Sequence, residues 1–307
     1  LSSLLFNPIT GQPVILAPER GTRPNALRTS WVPSHSAAAC PFCLGNEDQT
    51  PPEIVRDGIG PEWDVRVVPN KYPFVSPDGE MAGHHEVIVE SGRHDARFED
   101  LSPRQLGVVV EIYQSRFMAL RASAEYVLLF KNSGPLSGQS IDHLHSQIVT
   151  LPFWPLAART DSESFAEHAQ QSRSCPLCDL VHGSRVDLEV LTTPGFHLIS
   201  APAARMPFEM WLIPDAHREC FSDSSPGEIG IVLGAAVRAL VRRWPDVSYN
   251  WEFRQFFGRG RATHWYVAIE PRLTTVAGFE LATGMWINIV PPAQAARELR
   301  SALGERA

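Results

Sequence analysis

No stretch of about eighteen apolar residues occurs in the 307-residue chain, so a membrane-spanning helix is not expected. Surplus positive charge is also missing: 27 Lys and Arg stand against 34 Asp and Glu, a formal charge of −7. A broad nucleic-acid surface needs clustered excess cations, so no nucleic-acid partner is expected. A phosphate site needs only a few local donors and stays open. Lysine is nearly absent, with Lys71 and Lys131 the only two, and this bias toward Arg reads as genome composition rather than function. The opening Leu1-Ser2-Ser3-Leu4-Leu5-Phe6-Asn7-Pro8 has neither a basic start nor a long apolar run, so the expected location is cytoplasmic. Cysteine is scarce as well. Four of the five form the pairs Cys40-Pro41-Phe42-Cys43 and Cys175-Pro176-Leu177-Cys178, which without a secretion signal read as metal ligands or redox couples.

What the chain does have is 44% hydrophobic and 20% charged residues, the balance of a globular protein long enough for two domains. It also repeats itself. After each cysteine pair comes a Pro-bearing stretch, Val67-Val68-Pro69-Asn70 and Ser200-Ala201-Pro202. Strand-forming runs follow, Glu86–Glu90 and Phe208–Ile213, and then a histidine, His94 or His217. Eight positions later stands Ser-Pro, Ser102-Pro103 and Ser225-Pro226, an N-cap with proline at the first helical position. Helices are expected to about Leu120 and Arg243. Leu106, Val109, Val110, Tyr113 and Phe117 would form the buried stripe of one, and Ile229, Val232, Leu233, Val237 and Leu240 that of the other. Strands at Tyr126–Phe130 and Tyr249–Phe253 then lead to His143-Leu144-His145 and His264-Trp265-Tyr266. The separation from first to second histidine is 49 positions in one half and 47 in the other. The expected organisation is a unit over 1–155, a linker or surface helix over 156–174, and a second unit over 175–307. The Pro-rich stretches near Pro8–Pro24 and Pro51-Pro52 read as loops.

Each half thus offers two cysteines and two histidines in the same order: Cys40, Cys43, His94 and His143, then Cys175, Cys178, His217 and His264. Two thiolates and two imidazoles suit tetrahedral zinc, and the long separations mean that the ion pins distant strands. A lone Cys-x-x-Cys is a weak signal; its recurrence in register with the histidines favours two structural zinc sites. Cys220 has no counterpart and reads as a buried thiol.

The segment His143-Leu144-His145-Ser146-Gln147 carries the chemistry. Residues two apart on an extended chain share a face, so His143, His145 and Gln147 can face one cleft. A neutral imidazole is a good nucleophile toward activated phosphorus, and a bond from its other nitrogen to a backbone carbonyl would fix the tautomer. Gln147, Ser140 and the loop Asn132–Gly138 could donate to phosphate oxygens. The alternative is that His145 is a third ligand or a surface residue. The second half separates the roles: it keeps His264 and has Tyr266 in place of His145.

At these residues the sequence resembles the galactose-1-phosphate uridylyltransferase family of the histidine-triad superfamily. The resemblance includes Asn7–Gly11, Pro18–Pro24, Cys40–Glu47, Asn132–Gln147 and Ala277–Glu280. It implies an α+β fold of two histidine-triad-like units, an antiparallel half-barrel flanked by helices, in a homodimer. It implies a ping-pong nucleotidyl transfer, UMP being the first expectation, between a nucleotide sugar and a sugar 1-phosphate through a covalent His145 intermediate. Asn132, Ser140 and Gln147 would bind phosphates, Arg20 and Arg23 nucleotide or phosphate, Asn70 the ribose or base, and Glu280 sugar hydroxyls. Members with a defined hexose site carry a Lys where this chain has Thr274-Thr275-Val276, and the second Cys-Pro-x-Cys is more similar to the ADP-glucose phosphorylase branch, whose acceptor is phosphate. A dinucleotide hydrolase and a non-catalytic zinc-stabilised binding protein are the remaining alternatives.

Overall fold

The structure is a computed structural model, which describes residues 3–11, 13–16, 37–58, 62–78, 80–183, 186–256 and 263–304. In chain order its strands are β1 (Ser3–Phe6), β2 (Pro13–Leu16), β3 (Val55–Asp57), β4 (Val65–Pro69), β5 (His85–Val89), β6 (Tyr126–Ser133) and β7 (His145–Leu151). They continue with β8 (Glu189–Thr192), β9 (Phe196–Ser200), β10 (Met210–Pro214), β11 (Tyr249–Arg254), β12 (Tyr266–Pro271) and β13 (Trp286–Asn288). The helices are α1 (Pro103–Arg121), α2 (Leu156–Ser172), α3 (Pro176–His182), α4 (Pro226–Arg243), α5 (Gly278–Thr283) and α6 (Pro292–Gly304). The architecture is α+β. By compactness the chain forms two units, one of residues 32–155 with 222–234, the other of 1–31, 156–221 and 235–307.

The 32–155 unit holds an antiparallel sheet in the order β3-β4-β5-β7-β6. The other unit holds an antiparallel sheet in the order β8-β9-β10-β12-β11, the same arrangement shifted by five strands in sequence. In both, a long helix is inserted between the third and fourth strands of the chain order, α1 in one and α4 in the other. This is the duplication read from the sequence, now visible as topology.

The helix starts behave as the Ser-Pro signals require. Ser102 accepts the Gln105 N–H while Gln105 Oε1 accepts the Ser102 N–H, a reciprocal capping box. The whole expected apolar stripe of α1 is buried, as are Ile229, Val232, Leu233, Val237 and Leu240 of α4. Within the 32–155/222–234 unit, α1 meets the first turns of α4 closely at Gly230: a Cβ there would lie 2.7 Å from the Leu106 carbonyl carbon.

Two expectations are corrected. The stretch Pro8–Pro24 is not all loop, because Val14-Ile15-Leu16 are strand formers and β2 pairs antiparallel with β1 and parallel with β13 in a second, three-stranded sheet. Pro13 is tolerated as the first residue of that strand. The strand expected from Phe208 begins at Met210 instead, since Phe208 has φ 65° in a turn where the Glu209 carboxylate accepts the Arg205 N–H at 2.6 Å. Segment 156–174 is largely helix α2, whose Phe165 is fully buried.

Candidate active site

The Cys40–Cys43 pair lies in a tight turn, the Cys43 N–H donating to the Cys40 carbonyl at 3.3 Å. The Cys175–Cys178 pair is built differently, with Cys175 as the N-cap of α3 and Pro176 at its first position. Both turns bring two thiols toward two histidines, and the four donor atoms of each set lie within 4.8 Å of one another. In the first set Cys40 Sγ is 3.5 Å and Cys43 Sγ 3.7 Å from His143 Nδ1, and Cys43 Sγ is 3.4 Å from His94 Nδ1. In the second, Cys175 and Cys178 Sγ are 3.7 and 3.6 Å from His264 Nδ1, and Cys178 Sγ is 3.4 Å from His217 Nδ1. Zinc bonds of about 2.3 Å to sulfur and about 2.0–2.1 Å to nitrogen put sulfur and nitrogen about 3.5 Å apart along a tetrahedron edge. Both donor sets therefore have the dimensions of a tetrahedral divalent site. Burial, reinforced by the neighbouring thiol, pushes Cys43 and Cys178 up to about 12, so a bound ion has to displace thiol protons.

The two histidines of the His-x-His segment are turned to different tasks. His143 lies just before β7, with Nδ1 at the thiols and Nε2 donating to the Ser91 carbonyl at 2.6 Å. It does not line the cleft with His145 and Gln147, as strict alternation would have it, because the strand starts at His145. His145 Nδ1 donates to the His143 carbonyl at 2.6 Å, which leaves the lone pair on Nε2. Burial holds His145 down to about 4, with Lys131 adding and the bond to the His143 carbonyl opposing, so the imidazole is neutral near pH 7. Phe42, from the cysteine turn, meets the His145 ring edge-on, with ring centroids 5.3 Å apart. One short segment thus supplies two thiols of the first donor set and a wall against the His145 imidazole.

His145 lines a cavity of about 530 Å³ together with Phe42, Asn70, Lys71, Ser140 and Gln147. That volume suits a small-molecule ligand. Asn132 sits on β6, two positions beyond Phe130, which pairs with Gln147. Glu280 belongs to the 1–31/156–221/235–307 unit, where its carboxylate accepts the Ala277 N–H at the start of α5. Arg20 and Arg23 lie outside the described residues. Cys220 is buried, with Sγ 3.8 Å from Gln255 Oε1.

Behind His145 is a buried polar group that sequence reasoning missed. Lys131 Nζ donates to Glu90 Oε2 at 2.5 Å and to the His145 carbonyl at 2.8 Å. The other Glu90 oxygen accepts from Tyr113 and Ser146. Burial lowers the Lys131 pKa while Glu90 opposes the shift. The signal was available: Lys131 is one of two lysines in an Arg-rich chain and stands beside Asn132. His85, which reaches Gln147, was missed as well.

The other unit has a counterpart cavity of about 350 Å³ lined by Tyr266, Arg254, Asp161, Glu209 and Trp211. Tyr266 holds the His145 position, and burial raises its phenol pKa, so the group stays protonated and no phenolate is presented. Arg254 is paired with Asp161 at 3.2 Å and with Glu252, and Arg205 with Glu270. The duplicated scaffold retains donor sets in both halves and the cavity-lining imidazole in one.

Residues 28–153 match the N-terminal domain model of a family described as a domain of unknown function, DUF4931. The chain is 30% identical to an ADP-glucose phosphorylase of Arabidopsis thaliana, covering 96% of this chain and 91% of that one. It is 25% identical to a galactose-1-phosphate uridylyltransferase of Thermotoga maritima, covering 98% of both. Among solved structures, an Arabidopsis thaliana ADP-glucose phosphorylase with bound ADP-glucose superposes with a TM-score of 0.87 at 28% identity over 98% of this chain and 99% of that one. A uridylyltransferase mutant shares the fold with a TM-score of 0.79 over the full length of both chains. The chain belongs to the family of galactose-1-phosphate uridylyltransferases and ADP-glucose phosphorylases.

Proposed function

We propose that the chain is a nucleotide-sugar phosphorylase that carries a nucleoside monophosphate, AMP first, on His145. The observation that carries this reading is the His145 ring itself: Nδ1 is committed to the His143 carbonyl, and the ring lines the cavity beside Gln147. In the first half-reaction Nε2 attacks the α-phosphorus of ADP-glucose. The P–N bond forms as the P–O bond to the leaving glucose 1-phosphate breaks. Nδ1 keeps its proton, so the nucleotidylated ring is cationic and the His143 carbonyl stabilises it. In the second half-reaction an oxygen of orthophosphate attacks the same phosphorus, the P–N bond breaks, ADP leaves and His145 returns neutral.

Gln147 and Ser140, with Asn132, donate to phosphate oxygens in this scheme, Asn70 lies toward the nucleoside, and Arg20, Arg23 and Glu280 complete substrate binding. Zinc, held by Cys40, Cys43, His94 and His143 and by Cys175, Cys178, His217 and His264, supplies cross-links rather than chemistry at phosphorus. Phosphate as acceptor is favoured over a hexose 1-phosphate by the 30% identical phosphorylase and by Thr274-Thr275-Val276 where hexose-site members carry a Lys. Uridylyl transfer is the second reading, supported by the Thermotoga maritima relative over 98% of the chain. Incubation with ADP-glucose and phosphate should release glucose 1-phosphate and ADP. Turnover of UDP-glucose with galactose 1-phosphate, and none with ADP-glucose and phosphate, would replace the first reading by the second.

A further inference from the structure

His85 opens β5 and is almost fully buried. In the β5–β7 register His85 faces Val149 and Val87 faces Gln147, so His85 and Gln147 are diagonal neighbours on one sheet face. Their side chains meet: His85 Nε2 is 2.8 Å from Gln147 Oε1. Asn70 joins them, its Nδ2 lying 3.4 Å from Gln147 Oε1 and 3.2 Å from His85 Nε2. The Asn70 amide is itself oriented, because its Oδ1 accepts the Tyr72 N–H at 2.9 Å. Its N–H group is therefore the end that donates to Gln147 Oε1.

Gln147 Oε1 is the acceptor that both neighbours share. At 2.8 Å it tolerates a protonated nitrogen and repels a lone pair, so His85 carries its hydrogen on Nε2. The 3.2 Å approach of Asn70 Nδ2 to that nitrogen is a contact of two donors on one acceptor, not a hydrogen bond. Gln147 Oε1 then receives two donors, and the amide nitrogen of Gln147 is left for the cavity that the residue lines. Without those donors the amide could rotate and present its oxygen to an anionic phosphate. The His85 ring packs at a 57° tilt against Phe74, centroids 4.7 Å apart, and its Nδ1 is buried with no hydrogen-bond partner among the described residues. An imidazole spent on one hydrogen bond, with its other nitrogen unsatisfied, is costly as pure packing.

We propose that His85 is a positioning residue, which through Nε2–H fixes the Gln147 amide so that its N–H group donates to the phosphate transferred to His145. This rests on the reading of His145 as the nucleophile. The chain thereby separates a nucleophile held by the His143 carbonyl from a phosphate donor held by His85 and Asn70.

The test compares His85→Phe, which keeps a ring without the donor, with His85→Gln, whose amide reaches the Nε2 position. Each is made in the wild-type and Gln147→Ala backgrounds, with melting temperature and zinc content as checks on folding. Freeing one ordered side chain should slow transfer from ADP-glucose onto His145 by roughly three- to tenfold in His85→Phe, in kcat rather than KM. His85→Gln should restore most of the rate, and His85→Phe should change the rate by less than about twofold once Gln147 is Ala. An equal loss in both backgrounds, or His85→Gln as slow as His85→Phe, overturns the proposal. Nitrogen-15 shifts of the His85 ring give an independent reading, with Nε2–H expected and Nδ1–H contradictory. If wild type accepts no nucleotide sugar, the functional reading fails while the ring shifts still decide the hydrogen bond.

Discussion

Replacing Lys131 by Met tests whether the group behind His145 is an ion pair that holds the site. Lys131 and Glu90 are 1% and 0% exposed, so the carboxylate cannot recover its lost partner from water. Leaving one buried charge unpaired costs about 3–5 kcal/mol. Tyr113 and Ser146 still donate to Glu90, which places the loss near the lower end, about 3 kcal/mol. That is a large part of the roughly 5–15 kcal/mol by which a domain is stable. Urea unfolding followed by tryptophan fluorescence would measure it. The double variant Lys131→Met/Glu90→Gln removes the stranded charge and should recover at least about 2 kcal/mol relative to the single variant. A single variant within about 1 kcal/mol of wild type, or a double variant no more stable than the single, would refute the reasoning.

Other consequences are as direct. Gly230→Ala should destabilise by about 1–3 kcal/mol through the clash with Leu106, whereas Gly227→Ala, with nothing within 4 Å of its Cβ, should be neutral or better in a thermal melt. A chelator should strip the second donor set before the first, because Cys178 is half-buried and His217 exposed while Cys40, Cys43 and His143 are buried; metal release followed with a chromogenic dye reads the order. Because the thiols of Cys43 and Cys178 are pushed up to about 12, metal binding releases protons, and apparent zinc affinity should rise with pH. Burial also holds His85 below its ordinary value, so the unfolded chain binds the extra proton first as pH falls. Its stability contribution is complete above about pH 6.5 and is lost as pH falls below that, so wild type should lose stability more steeply than His85→Phe between about pH 7 and 5.5.

The donor sets were legible because duplication shows the same four residues twice in register, and a repeat needs no knowledge of contacts. Helices α1 and α4 were legible to the residue at their starts, since capping and apolar spacing are local. Strand starts were less so: Phe208 is a good strand former, yet the turn closed by Glu209 holds it at positive φ. The opening strands β1 and β2 were hidden by neighbouring prolines and find their third strand in β13, far along the chain. In the site, His145 could be separated from His143 by its absence from the second half. Lys131 and His85 could not be assigned, because their partners Glu90 and Gln147 lie 41 and 62 positions away and only strand pairing brings them together.

Labelling and metal content together distinguish the imidazole that binds phosphorus from the one that binds metal. Wild-type protein incubated with ADP-glucose labelled in its AMP moiety, without acceptor, should acquire an acid-labile, base-stable label on His145. His145→Ala should take up none while keeping about two zinc ions per chain, one for each tetrahedral donor set. Loss of one zinc in His145→Ala, or a label that persists in it, would contradict the assignment.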